Sequence, residues 1–154
     1  MSSVRGLLSG STAARIALTL WVGGMWITGY LVAPVLFNML DKQTAGDVAG
    51  QLFTIMSYVG LGCATLLLMD ASTAGKAMWK QASVRLVIVM VLIVMIGQWV
   101  LQPMMVELKA QGLDQAAVAT QFGRLHGVAQ VLFMINSLLG LALVVFPDIR
   151  TTEA

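Results

Sequence analysis

The chain alternates between long apolar stretches and short segments that carry nearly all of its charge. Four stretches of 21 to 25 residues contain no Asp, Glu, Lys or Arg: Ile16–Leu40, Val48–Met69, Leu86–Val106 and Leu125–Pro147. A hydrocarbon core about 30 Å thick needs roughly 20 apolar residues of helix to cross it, whereas a soluble helix turns a charged face to water. The pattern predicts an all-α integral membrane four-helix bundle, with spans at about 14–39, 47–70, 83–108 and 122–146.

Composition and charge placement extend this prediction. The 154 residues are 58% hydrophobic and 10% charged, and the short connections leave no room for a soluble domain, so we expect a single transmembrane domain in a lipid bilayer. If the N-terminus is cytoplasmic, the basic residues on the inner side outnumber those on the outer side, which favours an N-in/C-in topology. The inner set is Arg5, Arg15, Lys76, Lys80, Arg85 and Arg150, and the outer set is Lys42, Lys109 and Arg124.

Two prolines lie inside the predicted spans, Pro34 and Pro103, both in the outer half under this topology. A proline has no N–H, so it frees the carbonyl four residues earlier, here that of Tyr30 and that of Trp99. A freed carbonyl in hydrocarbon needs another partner. We therefore expect both helices to bend, the outer half of the bundle to open, and both carbonyls to have side-chain or water partners.

Polar side chains gather toward the same outer half. On a helical wheel, His126, Gln130 and Ser137 fall on one stripe of the fourth span, and we expect this stripe to face the interior with Gln98 or Gln102 within reach. His126 is the only histidine, and an ionisable group inside a span is a functional candidate. The candidates for an outward-facing polar pocket are His126, Gln130, Gln98, Gln102, Asn38, Gln51, Tyr30 and Trp26. The same residue types also join helices in many membrane bundles, which is the alternative interpretation.

The sequence offers little for metal, cofactor or catalytic chemistry. Thioether and imidazole groups bind soft ions, so His126, Met104 and Met105 are the metal-ligand candidates, although most of the 11 methionines are spread as core fillers would be. One histidine cannot supply bis-histidine haem ligation, which leaves only His/Met or intersubunit ligation for a haem, and we expect no cofactor. No carboxylate within a span accompanies His126 and no hydrolase motif is present, so the pattern does not favour an enzyme. The basic residues are too dispersed for nucleic-acid binding.

Three segments resemble an uncharacterised bacterial family of small four-span inner-membrane proteins, itself distantly similar to eukaryotic transmembrane proteins associated with cisplatin resistance. The segments are LWVGGMWITGYLVAPVLF (20–37), AGDVAGQLF (45–53) and FGRLHGVAQV (122–131). The resemblance implies the fold and a multi-pass location in the bacterial inner membrane, but no activity. Residues that match its pattern are Trp21, Gly23, Gly24, Tyr30, Pro34, Phe37, Gly46, Gly50, Phe53, His126 and Gly127. Ala129 stands where family members often have Ser.

Two functions fit these observations. The first is a small inner-membrane protein whose outward-facing polar pocket binds or passes a small solute or ion, with metal tolerance as one form of this function and a homo-oligomer as the expected state. The second is an accessory subunit of a larger membrane complex that has no ligand of its own. A hydrated cavity between the first, third and fourth spans favours the first function, and a filled interior favours the second.

Overall fold

The computed structural model describes residues 10–72 and 82–146. These residues form α1 (Gly10–Trp26), a π-helical segment (Ile27–Val32), α2 (Ala33–Met39), α3 (Lys42–Ser72), α4 (Ala82–Ile96), a second π-helical segment (Gly97–Leu101), α5 (Gln102–Gln111) and α6 (Ala116–Val145). The described residues contain no strand. The predicted all-α class is confirmed.

Four continuous helical rods, which we call spans one to four, are long and apolar enough to cross a membrane. They are Thr12–Met39, Lys42–Ser72, Ala82–Gln111 and Ala116–Val145, with 28 to 31 residues each. At 1.5 Å per residue each rod is about 42–46 Å long, which matches a bilayer including its headgroup layers. The four-helix architecture is as predicted, although spans two and four begin before the expected positions 47 and 122. Four of the basic residues used to predict topology, at positions 5, 76, 80 and 150, lie outside the described residues.

Spans one and two meet in a very tight turn, with only Leu40 and Asp41 between the helices. Asp41 caps the start of α3: its Oδ1 accepts hydrogen bonds from the amides of Gln43 and Thr44 at 3.1 and 3.0 Å. These donors satisfy a carboxylate at a helix N-terminus. The Thr44 amide, aided by the Thr44 hydroxyl and the Gln43 amide, lowers the pKa of Asp41.

Spans three and four meet through four residues, 112–115. Gly112 ends α5 with φ +96°, a conformation that other residues rarely adopt. A single helix runs without interruption from Ala116 to the end of span four at Val145. The residue that precedes this helix is Gln115, which makes no side-chain capping hydrogen bond.

Each intramembrane proline follows a π-helical segment. The amide of Ala33, just before Pro34, donates to the Thr28 carbonyl five residues earlier, and the amide of Gln102, just before Pro103, donates to that of Gly97. Each proline then lies in the first turn of the next α-helix, where no N–H donor is needed. A local widening of the helix thus accommodates both prolines. Within the described residues no side chain donates to the carbonyl of Tyr30 or Trp99, so partners for these carbonyls remain a prediction.

The main apolar core lies in the half of the bundle opposite the prolines. Trp21 is only 1% exposed and packs against Gly60, where a Cβ would overlap the indole. Cys63 is buried in the same cluster. All four spans contribute to it: Ala17, Leu18, Trp21, Val22, Met25, Cys63, Ala64, Val87, Met90 and Leu143. The apolar packing in this half holds the four spans together.

In the other half, which we call the proline end, the helices pack mainly within two hairpins. Here α2 packs on α3, and α5 packs on α6. Long side chains make the contacts between the hairpins: Lys109 of span three pairs with Asp47 of span two, and Phe133 of span four contacts Phe53 of span two. The two hairpins are therefore joined at this end by side chains more than by close backbone approach.

Candidate functional site

A hydroxyl pair joins spans one and four near the middle of the apolar layer. The Tyr30 Oη lies 2.7 Å from Ser137 Oγ, and Ser137 Oγ donates to the Met134 carbonyl at 2.8 Å. Because the Ser137 proton is committed to that carbonyl, the Tyr30 hydroxyl is the donor to Ser137. Trp26 Nε1 also reaches the Ser137 carbonyl at 3.3 Å. Ser137 is fully buried. It thus accepts hydrogen bonds from two of the predicted site residues, Trp26 and Tyr30.

Aromatic rings fill the space around this pair. Tyr30 packs between Trp26 and Phe133, with ring centroids 4.9 and 5.9 Å apart, and Phe133 meets Phe53 edge-on at 5.1 Å. Gly29 permits this packing, because a Cβ there would overlap the Phe133 ring. Such pairs contribute about 0.5–1.5 kcal/mol each beyond their buried area. The four rings form an aromatic cluster between spans one, two and four, in which Trp26 and Tyr30 remain 37% and 47% exposed.

Asn136 is a polar core residue that sequence reasoning missed. It is 3% exposed, and its Nδ2 donates to the Met25 sulfur at 3.4 Å. Its Oδ1 has no hydrogen-bond partner among the described residues. The sequence contains a signal for it, since Asn136 is the central residue of the uncharged stretch Leu125–Pro147. Asn136 does not lie on the helical-wheel stripe that contains Ser137, so the stripe does not predict its burial.

A second polar cluster crosses the proline end and contains His126. Lys109 Nζ lies 2.6 Å from Asp47 Oδ1 and 5.8 Å from the centre of the Phe122 ring. The Phe122 ring stacks on His126 with centroids 5.9 Å apart, and a hydrogen bond of 3.1 Å joins His126 Nε2 to Gln130 Nε2. This cluster links spans two, three and four through one ion pair, two rings and an amide.

The expected pairing of His126 with Gln130 is therefore present, but both residues are exposed rather than enclosed. This differs from the interior position that the wheel predicts. The physical reason is Phe122, because the imidazole stacks on that ring and follows it toward Lys109 at the surface. Within the described residues, His126 has no hydrogen bond to Gln98 or Gln102.

The remaining pocket candidates lie apart from these two clusters. Gln102 is half-buried beside span two, where a Cβ on Gly50 would be 3.8 Å from its Nε2. Gln98 is half-buried in the second π segment, while Asn38 and Gln51 are exposed. The eight candidates thus form two clusters and four separate positions among the described residues, and their convergence on one pocket remains a prediction.

The structure shows no contact that unites the metal-ligand candidates within the described residues. Met104 is 45% exposed and Met105 is half-buried, while His126 is engaged with Phe122 and Gln130. The described residues also contain no group of three or more His, Cys, Asp or Glu side chains placed to hold a metal ion. Met104 instead lines a shallow surface groove that also contains Arg124 and Leu125.

Comparison with known proteins identifies the family. The model of a domain of unknown function, DUF4149, matches residues 16–114, which is more than half of the chain, so the protein belongs to this uncharacterised family. The match includes two of the three segments noted in the sequence and ends before the third, at 122–131. No curated protein matches the chain, and no solved structure matches it.

Proposed function

We propose that this DUF4149 protein is a multi-pass protein of the bacterial inner membrane, oriented N-in/C-in, that acts as an accessory helical subunit of a larger membrane assembly. In this role its intramembrane polar groups join helices instead of holding a solute. The observation that carries the proposal is the hydrogen bond from Tyr30 to Ser137. This hydrogen bond engages the fully buried Ser137 hydroxyl in a contact between two helices.

The surroundings of that hydrogen bond support the same role. The sequence predicts a hydrated cavity for a solute-binding protein and a filled interior for a subunit. Tyr30, Phe133 and Phe53 occupy the space between spans one, two and four. Several residues that carry the family resemblance have packing positions of this kind, including Trp21, which lies on Gly60, and Gly24, which lies against Met56.

A polar group on the outer surface of span two indicates where a partner would bind. Tyr58 is 56% exposed, and it lies near the middle of the uncharged stretch Val48–Met69. Its hydroxyl makes no hydrogen bond within the described residues. A hydroxyl in hydrocarbon without a partner is unfavourable, and an acceptor on a neighbouring protein would remove that cost.

Site-specific cross-linking in membranes tests the proposal. A photoreactive phenylalanine analogue replaces Tyr58 in one variant and Leu138 in the control, since Leu138 is similarly exposed at 53% and lies near the middle of the uncharged stretch Leu125–Pro147. We expect a protein adduct at position 58 and none at position 138. An adduct of twice the chain's mass identifies a second copy, and any other mass identifies a different partner. A variant at 58 that yields lipid adducts alone contradicts the proposal.

The solute-binding function is the second candidate, supported by the unpartnered Oδ1 of buried Asn136. The distant similarity to cisplatin-resistance proteins, with its suggestion of soft metal ions, belongs to this candidate. His126→Ala distinguishes the two. Loss of a cellular phenotype at unchanged membrane abundance favours solute binding, whereas a parallel loss of abundance and phenotype favours the subunit role.

A further inference from the structure

A groove on the outer surface between spans three and four, at the proline end, combines both signs of charge. Its volume is about 350 Å³, and Glu107 and Arg124 line it from opposite helices. Both side chains are exposed, and neither makes an ion pair or hydrogen bond within the described residues. Glu107 directly follows the uncharged stretch Leu86–Val106, and Arg124 directly precedes Leu125–Pro147. The two charges therefore mark the same membrane boundary.

The lining of the groove changes from polar to apolar along the membrane normal. Gln111 and Gln121 lie on the side that faces away from the bilayer centre, because span three ends and span four begins at this end. Met104 and Leu125 lie on the side toward the centre. A bound molecule should therefore have a polar head at the boundary and an apolar part below it.

We infer that this groove binds one phospholipid with a zwitterionic headgroup that carries a primary ammonium, of the phosphatidylethanolamine type. The Arg124 guanidinium offers a planar pair of donors for the phosphate. The Glu107 carboxylate accepts from the ammonium, and the two glutamine amides serve the ester region. One acid and one base complement a headgroup with no net charge, whereas grooves for anionic lipids are lined with basic residues. This assignment is independent of the proposed subunit role.

Lipid titration followed by native mass spectrometry tests the inference. Delipidated protein is titrated with phosphatidylethanolamine, phosphatidylcholine and phosphatidylglycerol of identical acyl chains. We expect phosphatidylethanolamine to bind about fivefold more tightly than either, the factor that one exposed charge contact of roughly 1 kcal/mol provides. Equal affinity for all three lipids overturns the inference.

Two variants separate the two charge contacts. Glu107→Gln should abolish the preference over phosphatidylcholine while phosphatidylcholine itself still binds as before, which also shows that the variant is folded. Arg124→Gln should weaken both zwitterionic lipids about fivefold. Matched exposed controls at the same end, Asp114→Asn and Lys42→Gln, should leave the preference unchanged. A preference that persists in Glu107→Gln, or an affinity for both zwitterionic lipids that is unchanged in Arg124→Gln, contradicts the inference.

Soluble phosphoethanolamine distinguishes a lipid from a free headgroup. Because the inner wall of the groove is apolar, we expect an equal concentration of the soluble compound to leave the lipid bound. Displacement under these conditions overturns the assignment to a lipid.

Discussion

The Tyr30 and Ser137 hydroxyl groups, 107 residues apart in sequence, lie 2.7 Å apart and join the first and last spans. Tyr30 belongs to a π-helical segment and Ser137 to a regular α-helix. The contact closes the bundle at mid-depth, above the apolar core that closes it in the opposite half. It is a direct hydrogen bond between the first and the last helix of the bundle.

Removing this hydrogen bond should destabilise the bundle modestly. Tyr30→Phe keeps the ring packing and deletes the donor, and interhelical hydrogen bonds in membranes contribute about 0.6 kcal/mol on average. A double-mutant cycle with Ser137→Ala, measured by denaturing-detergent titration, should give a coupling energy of that order. Tyr58→Phe is the matched control, and we expect no effect on the isolated chain. Additive effects of Tyr30→Phe and Ser137→Ala would contradict the coupling.

Gly60→Ala should destabilise the core, because the new methyl group overlaps the Trp21 indole. Overpacking of this kind costs about 1–3 kcal/mol. At Gly62, one half-turn further on, a Cβ meets nothing within 4 Å, so Gly62→Ala should gain up to about 1 kcal/mol from helix propensity. Unfolding in the same detergent titration measures both. Equal stability of the two variants would show that the indole moves away at no cost.

The ion pair between Lys109 and Asp47 should contribute little and depend on salt. The two side chains are 33% and 52% exposed, and exposed pairs contribute about 0.2–1 kcal/mol. Asp47→Asn should therefore reduce stability by no more than that at low ionic strength, and the difference should shrink in high salt. A loss that persists in high salt would indicate a role for Asp47 beyond charge.

The Asp41 cap should lose its effect in acid. Its pKa lies below the ordinary value because the Thr44 amide, and then the Thr44 hydroxyl, donate to the carboxylate. A lowered folded-state pKa means that the stabilisation is present above the ordinary carboxyl range and is lost as the pH falls through the lowered value. Amide-exchange protection at Gln43 and Thr44, corrected for intrinsic rates, should fall in that window. Asp41→Asn, which cannot titrate, should show no such step.

The proposed N-in/C-in topology places both connections of the proline end on the periplasmic side of the inner membrane. Reporter fusions after Asp41 and after Gln111 should both give the periplasmic signal. A cytoplasmic signal from either fusion would overturn the orientation.

Hydrophobic patterning predicted the four helices because a membrane fixes both their length and their lack of charge. It could not predict how side chains meet near the prolines. A π-helical turn holds one residue more than an α turn, so the faces beyond each segment rotate by about one residue's arc relative to an α-helical wheel. Gln102, at the end of such a segment, accordingly lies beside Gly50 of span two and makes no hydrogen bond to His126. Asn136 was missed for another reason, since its contact with Met25 comes from tertiary packing.

The two-residue connection between spans one and two restricts how the chain enters the bilayer. Because only Leu40 and Asp41 join the two helices, one helix cannot be inserted far from the other. They must cross as a pair. Under the proposed orientation, the segment that is translocated between the first two uncharged stretches carries Asp41, Lys42 and Asp47, so the first hairpin moves a net charge of only −1 across the membrane.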